Sequence, residues 1–111
     1  TLLSLKDYEA ALDTFLKAKA GFEKVLEINP ENNYAMRMST YNLNRIGKSY
    51  AALAETRNRQ EFLGKSLENL RASLDGLKNM KEAGKLGEVD FEAIGEIEEE
   101  IKRVESKTNK S

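Results

Sequence analysis

At 111 residues the chain can bury one helical core but not two, and its 40% hydrophobic and 33% charged residues, with seven Gly and one Pro, match soluble helical proteins. It has neither cysteine nor histidine, which excludes disulfides, Cys/His zinc sites, thiol nucleophiles and imidazole acid–base chemistry. A net charge of −1 gives no case for non-specific nucleic-acid binding, and no apolar run approaches the roughly 20 residues a membrane helix needs.

From Tyr8 to Ile28, Tyr8, Ala11, Leu12, Phe15, Ala18, Phe22, Val25 and Leu26 recur at three- and four-residue steps, predicting a helix with one buried face. Asp7 is placed to cap its start. Asn29-Pro30 ends it, because proline drives its predecessor out of the helical region. The next helix starts near Asn33, carries Met36, Leu43, Ile46, Tyr50 and Leu53 on its core side and ends near Ala54. A turn over Thr56 to Arg59 is expected next, with Asn58 suited to a left-handed conformation. The competing reading is one unbroken helix, since neither Gly nor Pro interrupts this stretch.

The stripe Leu63, Leu67, Leu70, Leu74, Leu77 and Met80 predicts a third helix from Gln60, which Gly84-Lys85-Leu86-Gly87 terminates. Residues 84–90 form the connecting loop. A last helix over 91–106 has Asp90 as N-cap and Phe91, Ile94, Ile97, Ile101 and Val104 as its stripe, with Glu92, Glu96, Glu99 and Glu100 facing elsewhere. Residues 107–111 read as a tail. The fold class is all-α.

Asp7, Tyr8, Ala11, Phe15 and Ala18, and then Ala18, Phe22, Val25 and Pro30, resemble the start and the end of the second helix of a tetratricopeptide repeat, in registers seven residues apart. Leu43, Ile46, Gly47 and Tyr50 resemble the family's leucine-glycine-tyrosine pattern, again seven residues late. Such a unit is a helix pair of about 34 residues. Seven residues is nearly two turns, so the resemblance implies an antiparallel pair lengthened by roughly 10 Å with its buried face kept in register to about 20°. With the chain reversing near Glu31, that pairing sets Phe15 beside Gly47 and Phe22 beside Thr40.

The resemblance implies α-solenoid helix pairs over 1–83, closed by the last helix as a cap. Leu2, Leu3 and Leu5 resemble the final turn of a preceding helix, so the chain reads as a fragment whose apolar N-terminal end favours self-association. It also implies a non-catalytic, cytoplasmic interaction scaffold with no cofactor, no metal, no nucleic-acid or membrane partner, and a groove for a peptide or partner helix. That groove is expected from Tyr34, Arg37, Tyr41, Asn44, Arg45 and Lys48 of the second helix, residue types suited to a partner with carboxylates or an acidic stretch. The rival reading is a structural helical element that self-associates with the groove idle.

Charge is unevenly spread. Residues 33–60 carry Arg37, Arg45, Lys48, Arg57 and Arg59 against Glu55, whereas residues 88–100 carry seven acids and no base, which permits charge matching with a partner or within the fold. Gly47-Lys48-Ser49 and Gly64-Lys65-Ser66 echo the end of a phosphate-binding loop, but Asn42 and Arg59 stand where that motif needs glycine.

Overall fold

The computed structural model describes residues 5–55 and 59–108. They form four helices, α1 (Leu5–Ile28), α2 (Asn33–Ala54), α3 (Arg59–Glu82) and α4 (Glu88–Thr108), with no strand among the described residues. The expected positions of Leu2 and Leu3, the turn chemistry of Thr56 to Asn58 and the tail from residue 109 lie outside the described residues.

The turn between α1 and α2 follows from two asparagines placed on either side of Pro30. Asn29 still donates its amide to the Val25 carbonyl, its side chain accepts from the Glu31 amide, and the Asn32 side chain caps α2 by accepting from the Ala35 amide at 3.0 Å. At the end of α3 the Lys85 amide reaches the Met80 carbonyl and the Gly84 amide reaches Lys81, while Gly84 itself has φ 73°. This left-handed turn needs glycine and satisfies two carbonyls that the helix end would strand.

Three boundaries differ from the sequence expectation. α1, described over Leu5–Ile28, contains Asp7, which therefore lies within the helix rather than capping it at that position, and Leu5 belongs to α1 rather than to a preceding helix. α4 begins at Glu88, so Asp90 is its third residue and accepts from the Gly87 amide at 3.0 Å, the reciprocal half of a capping box. α4 also runs through Lys107 to Thr108, held there by an ion pair from Lys107 to Glu55 and a hydrogen bond from the Thr108 hydroxyl to the Glu105 carbonyl.

The helices pack in chain order, α1 on α2, α2 on α3 and α3 on α4. α2 and α3 are separate and antiparallel, which excludes the unbroken-helix reading. Ser66 donates to the Gly47 carbonyl and Ser73 to the Thr40 carbonyl, each at 2.7 Å, so two seven-residue steps match in opposite directions. α2 and α4 run parallel: Arg37 meets Asp90 at their starts and Glu55 meets Lys107 at their ends.

The core lies where α2, α3 and α4 meet. Leu63, Leu67, Leu70 and Leu77 of α3 face Ile94, Ile97, Ile101 and Val104 of α4 and Ala51 and Ala54 of α2. Each fully buried leucine or isoleucine contributes about 1.5–3 kcal/mol relative to exposure. Leu74 is only half-buried, and Phe91 is exposed at the edge with the Lys81 ammonium 4.9 Å from its ring centre.

Among the described residues α1 packs mainly on α2, and its stripe is accordingly half-buried, with Val25 open to solvent. The expected partners for its phenylalanines are corrected. Gly47 lies against α3, where an added Cβ would stand 2.7 Å from Leu70 Cγ, and Thr40 faces Gly76 of α3. On the α1 side, the Asn42 side-chain amide donates to the main-chain carbonyl of Phe15 at 2.8 Å. The reason is that the smallest residues of α2 serve its closest approach, which is to α3.

Candidate interaction groove between α2 and α4

Because α3 packs behind both, the parallel α2 and α4 leave an open cleft between them. It has a volume of about 360 Å³ and is lined by Arg37, Met38, Tyr41 and Arg45 from α2 and Val89, Glu92, Ala93 and Glu96 from α4. Their spacing at three and four residues puts each set on one face of its helix.

One end of the cleft is fixed by a buried carboxylate. Asp90 is 4% exposed; its Oδ1 accepts from Arg37 Nε at 2.9 Å and from the Tyr41 hydroxyl at 2.5 Å and forms an ion pair with Arg37 Nη2 at 2.8 Å, while Oδ2 accepts from the Gly87 amide. The Arg37 guanidinium also lies 5.2 Å from the centre of the Tyr41 ring. Burial alone would push the Asp90 carboxyl up, but the donors from Arg37, Tyr41 and Gly87 outweigh it and hold the acid below its ordinary range. The Tyr41 phenol is pushed up to about 12, first by burial and then by its hydrogen bond to Asp90. Arg37 is raised chiefly by its own hydrogen bond to Asp90. Arg37 and Tyr41 thus join α2 to α4 while also lining the cleft.

The other predicted groove residues divide. Arg45 lines the cleft, is exposed, and forms no ion pair among the described residues. Lys48 is exposed and lines a second cleft of about 370 Å³ farther along the same seam, with Tyr8, Ala51, Ala52, Glu55, Glu100 and Arg103. Glu100 is held below its ordinary range chiefly by a hydrogen bond from Arg103, with Lys48 adding to the effect. Tyr34 is 72% exposed and outside the cleft lining. Asn44 is half-buried, and its Oδ1 is shielded with no hydrogen-bond partner among the described residues.

The α4 wall was missing from the sequence expectation. Glu92 and Glu96 have the signature of a solvated face and are exposed, yet the parallel run of α2 and α4 sets them across from Arg45. No periodicity within one helix encodes that juxtaposition; the offset of the acidic stretch from the basic one was its only trace. Comparison with models of known families, with curated proteins and with solved structures finds no match. The cleft must therefore be interpreted by its own chemistry. It holds apolar surface from Met38, Val89 and Ala93 between a basic and an acidic edge, an arrangement that suits binding a chain segment.

Proposed function

We propose that this chain is a non-catalytic protein–protein interaction scaffold of tetratricopeptide type, cytoplasmic, that binds a peptide or partner helix along α2 in the α2/α4 cleft. The observation that carries this reading is the open, partly apolar cleft between two parallel helices, with Arg45 exposed at its edge and Lys48 farther along. Its affinity would rest on a few anchors, an apolar side chain against Met38 and Ala93 and carboxylates to Arg45 and Lys48. Titrating the protein with a leucine-striped helical peptide bearing glutamates should shift the backbone resonances of Arg45, Ala93 and Glu96. Arg45→Glu with Lys48→Glu should abolish that response; an unchanged response removes the reading.

A second reading has its own observation. α1 exposes Leu16 and Val25 and, among the described residues, packs mainly on α2, which favours a structural element that self-associates and leaves the cleft idle. A mass that rises with concentration and falls on Leu16→Glu, with no peptide response at the cleft, would select it.

A further inference from the structure

The two walls of the cleft carry opposite charge, and they do not neutralise each other. On the α2 side stands Arg45 and on the α4 side stand Glu92 and Glu96, one turn apart; Lys48, one turn beyond Arg45, lines the neighbouring cleft, where its charge acts on Glu100. Arg45, Lys48, Glu92 and Glu96 are exposed, and no ion pair joins these bases to these acids among the described residues. The bases and acids that the fold uses for its own cohesion are different ones, Arg37 with Asp90 and Lys107 with Glu55. The apolar part of the lining is Met38, Val89 and Ala93, with Val89 71% exposed.

We propose that the partner is an amphipathic helix with a split charge pattern, an apolar stripe flanked by acids on the edge facing α2 and by bases on the edge facing α4. This rests on the cleft being the binding surface. A ligand acidic on both edges would satisfy Arg45 and Lys48 but set its second edge against Glu92 and Glu96; a wholly basic one meets the converse penalty. A split helix satisfies both walls at once. Reversing its chain direction exchanges its edges, so the two walls also fix the direction in which it lies.

The test uses three synthetic peptides sharing one leucine stripe, with edges Glu/Lys, Glu/Glu and Lys/Lys, titrated at low salt and followed at the amides of Arg45 and Glu96. The split peptide should bind about tenfold more tightly than either uniform one, the order expected when exposed pairs replace like-charge contacts. In Glu92→Lys with Glu96→Lys, two exposed positions whose change leaves the core intact, the Glu/Glu peptide should become the tightest binder. Equal affinity for split and Glu/Glu peptides in the unaltered protein overturns the charge assignment and leaves the cleft as a binding site. Absence of any response at Arg45 and Glu96 to all three overturns both.

Discussion

The Ser66 hydroxyl donates to the Gly47 carbonyl at 2.7 Å, and seven residues along each helix Ser73 does the same to Thr40. Both serines are fully buried, so α3 lies close enough to α2 for short side chains to reach its backbone. A methyl group on Gly47 would stand 2.7 Å from Leu70 Cγ and 3.1 Å from the Ser66 carbonyl oxygen. Gly47→Ala should therefore destabilise by about 1–3 kcal/mol. Gly64→Ala, at an exposed helical site with nothing within 4 Å, should stabilise by about 0.5–1 kcal/mol. Urea unfolding midpoints of the two variants check the contrast, and equal effects would contradict it.

Ser66→Ala and Ser73→Ala should each cost about 1 kcal/mol. The two bonds share no partner and lie two helical turns apart, so the double variant should show the sum to within about 0.5 kcal/mol. Denaturant titration of the three variants measures it.

Asp90 fastens the start of α4 to α2. Asp90→Ala strands Arg37 and the Tyr41 hydroxyl and should cost about 1.5–3 kcal/mol, whereas Tyr41→Phe, which leaves the ion pair, should cost about 1 kcal/mol. Amide exchange should rise first in the opening turns of α4, a local effect that a general loss of stability would not produce.

The same cluster sets a pH window. The Asp90 carboxyl is lowered by folding, so its contribution is full above the ordinary carboxylate pKa near about 4 and is lost as pH falls through the folded value. The Tyr41 phenol is raised to about 12, so its contribution is full below the ordinary value of about 10 and is lost between there and about 12. Stability followed by urea midpoint should decline at both ends, and Tyr41→Phe should flatten its contribution to the alkaline decline.

The helices were legible because local rules write them. Leucines at 63, 67, 70 and 77 are the buried stripe of α3, and Pro30 and Gly84 fall where α1 and α3 stop. What the sequence hid was pairing across distance. Asp90 has the look of a cap, and only the parallel run of α2 and α4 brings Arg37 to it; Gly47 could have faced either neighbour of α2. Arg37, Tyr41 and Arg45 share a stripe on α2 that the sequence shows, whereas the acids of α4 that line the same cleft read as a solvated face, because one helix's periodicity says nothing about which helix lies beside it.

The claim on which the cleft depends is that α2 and α4 run parallel with their starts side by side. A chain without cysteine accepts spin labels at chosen sites, and Tyr34, Val89 and Ser106 are exposed. Distances measured between paired labels should be short for 34 with 89 and clearly longer for 34 with 106, which lies roughly 25 Å farther along the helix axis. The opposite order would mean that α4 lies antiparallel to α2, and no cleft with these two walls would exist.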